Sequence, residues 1–106
     1  MEKNVQIAER KLVEDLGTGC SHINLFIREE KDEDGNEIII AGQQIRLNHP
    51  ITRARIIDRA VKSSYPDGAS EARLRKGVEN NQDPKYIEFI DYVQQVKDQI
   101  DEYEII

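Results

Sequence analysis

The first sixteen residues carry an apolar pattern that fits two kinds of secondary structure. Four apolar side chains recur at helical spacing: Val5, Ala8, Leu12 and Leu16. With Gly17 as a C-cap, this spacing predicts a short amphipathic helix over residues 2–16. The alternation of Val5 and Ile7 leaves an N-terminal strand as the other interpretation. The choice decides whether the sheet has three strands or four.

Apolar and polar residues alternate clearly in the region 22–47. The apolar side chains on one face of its first half are Ile23, Leu25 and Ile27. The pattern resumes at 38–40 after an acidic turn, in which Gly35 adopts a positive φ at little cost. Strand, Asp-Gly turn and strand together predict a β-hairpin. Gly42 interrupts the returning strand, where we expect a bulge or a bend into a third short strand.

The region 52–103 has the periodicity and the caps of helices. Thr52 is a candidate N-cap for a helix that ends near Ser64, and a more polar helix is predicted over 70–79. Asp83-Pro84 has the residue types of an N-cap and a first helical position, so a long C-terminal helix is predicted after it. Because an isolated hairpin is marginally stable in water, we expect these helices to cover it.

The long C-terminal helix has the most regular apolar pattern. Its apolar residues are spaced alternately three and four apart: Tyr86, Phe89, Val93, Val96, Ile100 and Tyr103. One interpretation is a helix packed on the core of its own chain. The other is a seam whose second half docks on another chain, or on a second copy of this one. For that contact the predicted residues are Val96, Ile100, Tyr103, Ile105 and Ile106.

Length and composition favour one small domain. The 106 residues suit a single α+β domain over 1–106: a small antiparallel hairpin or three-stranded sheet covered by three to four helices. Hydrophobic residues make up 38% and charged residues 34%. The first value is low and the second high for a globular chain. This balance indicates a thin core, or an apolar surface that another subunit completes.

The net charge of −6 is unevenly distributed. Residues 1–45 carry −5, residues 46–76 carry +5 and residues 77–106 carry −6. The basic residues predicted to steer a partner are Arg53, Arg55, Arg59, Arg73 and Arg75. The alternative for these arginines is pairing with acidic groups of the same fold. A second functional hypothesis has the basic helices of 52–79 contact nucleic acid, although the acidic chain and the lack of interleaved aromatics disfavour it.

The single cysteine bears on the compartment. Cys20 has no partner for an intrachain disulfide, and a secreted domain of this size would normally need one. No apolar stretch approaches the roughly 20 residues of a spanning helix, and residues 1–20 lack the apolar core of a signal peptide. We therefore expect a cytoplasmic protein without a membrane partner.

None of the candidate chemical motifs has the spacing that its chemistry needs. Cys20, His22 and His49 lack the paired spacing of a zinc site. The acidic turn 32–37 places its glycine wrongly for an EF-hand calcium loop. The segment 17–19 is too short for a phosphate loop and no Lys-Ser/Thr follows it. We expect no catalytic residue, no metal, no cofactor and no small-molecule substrate.

The sequence thus predicts a non-enzymatic protein–protein interaction module, or a small accessory subunit of a larger assembly. Its low apolar content, its charge blocks and the seam of its last helix motivate that hypothesis. The partner is either another protein or a second copy of the chain. The alternative is a nucleic-acid-associated regulator that uses the basic segment 52–79.

Overall fold

A computed structural model describes residues 2–103, as one antiparallel sheet of four strands and three helices. The strands are β1 (Glu2–Ile7), β2 (Val13–Asp15), β3 (Cys20–Lys31) and β4 (Glu37–Asn48). The helices are α1 (Arg53–Ser64), α2 (Ala69–Glu79) and α3 (Pro84–Glu102). The strand order is β1-β4-β3-β2. The predicted α+β class is confirmed, with four strands in the sheet.

The N-terminal segment forms two edge strands, so of the two interpretations of residues 2–16 the strand is correct and the helix is wrong. β1 pairs with β4, with Ile7 opposite Ile39, and β2 pairs with β3, with Val13 opposite Ile23. Isolated helices of this length are marginal in water, whereas each strand satisfies backbone groups of the central hairpin that would otherwise form its edges. The helical spacing of the apolar residues arises because the loop after β1 brings Leu12 into the core, where it is 2% exposed.

The central hairpin has the predicted turn, but its returning strand does not bend. The Asp32 carboxylate accepts hydrogen bonds from the backbone N–H groups of Asp34 and Asn36 at 3.0 and 2.9 Å. β4 continues unbroken through Gly42. A Cβ atom at residue 42 would lie 3.0 Å from the Cβ of Phe26, which has a φ of 56°. The glycine therefore permits a close approach of β3 and β4 rather than a break.

The helices begin where the sequence predicts. The Thr52 side chain accepts a hydrogen bond from the N–H of Arg55 at 3.2 Å, which caps α1. The Asp83 side chain accepts from Lys85 N at 2.9 Å and from Tyr86 N at 3.3 Å, and Pro84 is the first residue of α3. These caps satisfy backbone donors that have no partner within the helix. No helix within residues 2–103 is long and apolar enough to cross a membrane.

The core lies between the sheet and two of the helices, α1 and α3. Its buried members are Leu12, Ile23, Leu25, Ile45, Leu47, Ile56, Ala60, Val96 and Ile100. A smaller cluster of Ile7, Ile27 and Ala41 continues this core, and Tyr103 packs against both clusters. α2 contributes no buried side chain. The architecture therefore holds α1 and α3 firmly and leaves α2 on the outside.

Candidate interaction surfaces

The second half of α3 is occupied by the chain's own sheet. Val96 and Ile100, predicted as partner contacts, are 0% and 1% exposed within the core. Tyr103 is half-buried between the two core clusters. The seam recognised in the sequence therefore packs internally at these positions, against isoleucine and leucine side chains of β3 and β4. Ile105 and Ile106 lie outside the described residues.

An apolar groove lies between the three helices, on the side away from the sheet. It has a volume of about 500 Å³. Its walls are Ala54, Ile57, Asp58 and Val61 of α1, Leu74 of α2, and Phe89, Ile90 and Val93 of α3. Leu74 is 47% exposed and Ile90 39% exposed. The single charged member is Asp58, whose carboxylate already pairs with Lys62 Nζ at 3.1 Å.

α2 packs closely against α3 but buries none of its own side chains. A Cβ atom at Gly77 would lie 2.2 Å from the ring of Tyr86, so the glycine allows the two helices to approach closely. The Arg73 guanidinium lies over the Tyr65 ring, 5.7 Å from its centroid. Val78, one turn beyond Leu74, is 88% exposed. A helix of eleven residues that buries none of them leaves its apolar side chains free to contact another molecule.

The five predicted arginines do not form one surface. Arg53 pairs with Asp101 at 3.1 Å, and the Arg55 guanidinium donates to the carbonyl oxygens of Asn48, at 2.7 Å, and Pro50. Arg73 contacts the Tyr65 ring. The two remaining residues, Arg59 and Arg75, are exposed and make no hydrogen bond or ion pair with any residue of the described chain.

Two of these arginines line a groove between β4 and α1 together with other cationic side chains. The groove has a volume of about 710 Å³, and its basic residues are Arg46, Arg55, Arg59 and Lys62. Sequence reasoning missed this grouping, because Arg46 comes from the strand. The spacing of Arg55, Arg59 and Lys62 by four and three residues was the available signal, since it places them on one face of α1.

Cys20 lies beside this groove with its thiol hydrogen-bonded. Its Sγ is 3.2 Å from Thr18 Oγ1 and 3.2 Å from Arg46 Nη2, and the residue is 3% exposed. The hydrogen bond with Thr18 and the Arg46 guanidinium lower the pKa of the Cys20 thiol, against the opposing effect of burial. The arrangement therefore favours the thiolate relative to a free cysteine.

We expect Thr18→Ala to raise the pKa of Cys20, and Arg46→Gln to raise it as well. Because Cys20 is the only cysteine, the NMR shift of its β-carbon across a pH series reports one thiol. A lowered pKa stabilises the fold above the ordinary value of 9.0, and this contribution is lost as the pH falls through the folded-state value. Arg59→Ala, which removes a cation that does not touch Cys20, is the control. A titration unchanged in Thr18→Ala would contradict the assigned cause.

The remaining candidate groups do not assemble into a reactive site in the part of the chain that is described. Ser21 Oγ lies 2.9 Å from His49 Nε2, but Ser21 is fully buried. This hydrogen bond ties β3 to the residue after β4. Within 2–103 no carboxylate pairs with His49, so the pair lacks the orienting acid of a nucleophilic triad. No three His, Cys, Asp or Glu side chains of the described region are grouped so that they could hold a metal ion.

The structure thus contains two surfaces that suit a ligand, the apolar groove of the three helices and the basic groove between β4 and α1. Neither was predicted as such from the sequence. Comparison with protein-family models, with curated proteins and with solved structures finds no match to this chain, so the chemistry of these two surfaces carries the functional argument.

Proposed function

We propose that this protein is a non-enzymatic protein–protein interaction module whose apolar groove binds an amphipathic helix of an acidic partner. The observation that carries the proposal is the exposure of Leu74 of α2 and Ile90 of α3 in one groove. Clustered exposed apolar side chains mark interaction sites in soluble domains. The groove offers no group for covalent chemistry, since its one charged side chain is already paired.

The shape of the groove favours a helix as the occupant. Its walls are rows of side chains on the two helices α1 and α3, and Leu74 of α2 completes the lining. An amphipathic helix presents anchors at positions i, i+3, i+4 and i+7, which fit such a channel. An extended strand would need unpaired backbone groups along the groove, and these walls are helical.

The charges beside the groove favour an acidic partner over a second copy. α1 carries four Lys/Arg and one Asp, and α2 carries three Lys/Arg and two Glu, so these helices have formal charges of +3 and +1, whereas α3 carries two Lys and five Asp/Glu, a formal charge of −3. A symmetric dimer would place this surface, whose three helices together carry +1, against itself and would supply no surplus of negative charge to α1 and α2. An acidic helix would instead gain favourable charge pairing along α1 and α2.

The proposal is tested with two synthetic peptides of identical composition. One has leucine at i, i+3, i+4 and i+7 of an otherwise Glu-rich helix, and the other has the same residues in scrambled order. We expect saturable binding of the first peptide in a calorimetric titration, and weaker binding by about tenfold for Ile90→Ala. Ile87→Ala is the matched control, because Ile87 lies on the same helix with 41% exposure but does not line the groove.

Three outcomes would overturn the proposal. Equal affinity for the scrambled peptide would show that the groove does not read a helical face. An equal loss of peptide affinity in Ile87→Ala would place the contact elsewhere on α3. A concentration-dependent mass in sedimentation that Ile90→Ala abolishes would assign the groove to a second copy of the chain.

Nucleic acid is the less supported alternative. Of the five arginines predicted for the basic segment 52–79, Arg53, Arg55 and Arg73 are engaged with groups of their own chain. Arg59 and Arg75 remain, on different helices. A nucleic-acid surface needs several cations on one face, so the helix pair gives this hypothesis little support.

A further inference from the structure

A second groove, on the sheet side of α1, differs in chemistry from the apolar groove. Its lining includes four cationic side chains and one acid, Asp58, which gives the lining a formal charge of +3. The Asp58 carboxylate is held by Lys62 at 3.1 Å. The surplus cations, Arg46, Arg55 and Arg59, are thus not neutralised within the groove.

The three arginines are presented in different ways. Arg55 is held by the carbonyl oxygens of Asn48 and Pro50, and Arg46 by the sulfur of Cys20. Those contacts fix two guanidinium groups before any ligand arrives, which lowers the ordering cost of binding. Arg59 is exposed and has no polar partner in residues 2–103, so its donors are free for a bidentate anion contact.

We propose that this β4–α1 groove binds a short, extended, carboxylate-rich segment of a protein. α1 has twelve residues and is about 18 Å long, a distance that about six residues of extended chain span. Carboxylates on alternate residues of such a segment would then reach the successive arginines. The segment needs no apolar anchor, because the groove's cations supply its recognition.

Two observations favour an acidic peptide over nucleic acid. The lining holds no aromatic side chain on which a base can stack. The cations are also confined to one short groove of a chain whose net charge is −6, so a long phosphate backbone would run on to acidic surface. A short peptide ends before that repulsion begins.

This inference does not rest on the proposed function. The two grooves flank α1 and share Ala54 and Asp58 in their linings, but no exposed leucine or isoleucine lines the basic one. A probe without apolar side chains therefore tests the basic groove alone. If such a probe does not bind, the proposal for the apolar groove still stands. If the proposal for the apolar groove fails, this inference still stands.

The experiment measures binding of a fluorescently labelled oligoglutamate peptide of about six residues by anisotropy at low ionic strength. We expect saturable binding that weakens as salt is added, and an affinity about tenfold lower for Arg59→Ala. Arg75→Ala is the matched control, an exposed arginine on α2 without a polar partner in the described chain. The affinity of Arg75→Ala for the peptide should equal that of the parent protein.

Three results would overturn the inference. Absence of saturable binding at low salt would remove the site. An equal loss in Arg75→Ala would show diffuse charge attraction rather than a groove. Tighter binding of a single-stranded oligonucleotide of the same charge, sensitive to Arg59→Ala, would assign the groove to nucleic acid.

Discussion

Replacing Ile100 with alanine is expected to lower the free energy of unfolding by about 2–5 kcal/mol. Ile100 is 1% exposed, in the core that α3 shares with β3, β4 and α1. Truncation removes buried methyl groups and leaves a cavity that its neighbours fill only in part. Equilibrium urea denaturation, followed by far-ultraviolet circular dichroism, measures the change through the shift in midpoint.

Val78→Ala is the control for this substitution. Val78 is 88% exposed on α2, so its truncation removes no buried contact and should change stability by less than about 0.5 kcal/mol. If Ile100→Ala were as stable as the parent but lost an association with another chain, the seam of α3 would be an interface rather than a core. The structure leads us to expect the opposite.

Several elements could be predicted because their signals are local. The Thr52 cap and the Asp83-Pro84 pair mark helix starts through groups within three residues of one another. The hairpin turn likewise depends on two nearby residues, through a hydrogen bond to the Asp32 side chain and the positive φ of Gly35. Such features do not depend on how the rest of the chain packs.

The N-terminal strands and the packing of the α3 seam could not be predicted in this way, because they depend on long-range contacts. Residues 2–7 form β1 because β4 offers an unpaired edge, more than thirty residues away along the chain. The spacing of Val96 and Ile100 predicted an apolar face correctly but could not identify what covers it. That answer required the positions of β3 and β4 relative to α3.

The two grooves show the same division between local and long-range information. Ile90 and Leu74 each look like ordinary amphipathic-helix residues, and they become a surface only because α2 contributes no side chain to the core. Likewise, three basic residues of α1 share a face by spacing alone, but Arg46 joins them through the packing of α1 on β4. Tertiary packing therefore determined which of the predicted side chains became candidate sites.

A partly buried polar cluster joins the sheet to α1 and α3. The Tyr92 hydroxyl lies 2.7 Å from Gln43 Oε1 of β4 and 3.0 Å from the carbonyl oxygen of Ala60, and it accepts a hydrogen bond from Ser64 at 2.9 Å. The Tyr92 ring also lies 5.8 Å from that of Tyr65, centroid to centroid. One side chain of α3 thus contacts both α1 and the sheet.

We expect Tyr92→Phe to lower the free energy of unfolding by about 1–3 kcal/mol, because buried Gln43 loses its hydroxyl partner. Tyr86→Phe is the matched control: Tyr86 is also half-buried on α3, and its hydroxyl makes no hydrogen bond to a residue of the described chain. Urea denaturation of the two variants at neutral pH gives the difference. Equal losses of stability in both variants would show that the Tyr92 hydroxyl contributes nothing specific to the fold.

The same substitution should change the response to alkaline pH. Burial is the main cause that raises the pKa of Tyr92 above its ordinary value of 10.0, and the hydrogen bonds that Tyr92 makes with Ser64 and Gln43 oppose this rise only in part. A raised folded-state pKa means that the unfolded chain loses this proton first. Stability from Tyr92 is therefore fully present below pH 10.0 and is lost as the pH rises through the folded-state pKa. The free energy of unfolding of Tyr92→Phe should therefore fall less steeply with rising pH than that of the parent over that range. An unchanged slope would mean that the hydroxyl is not buried in the fold.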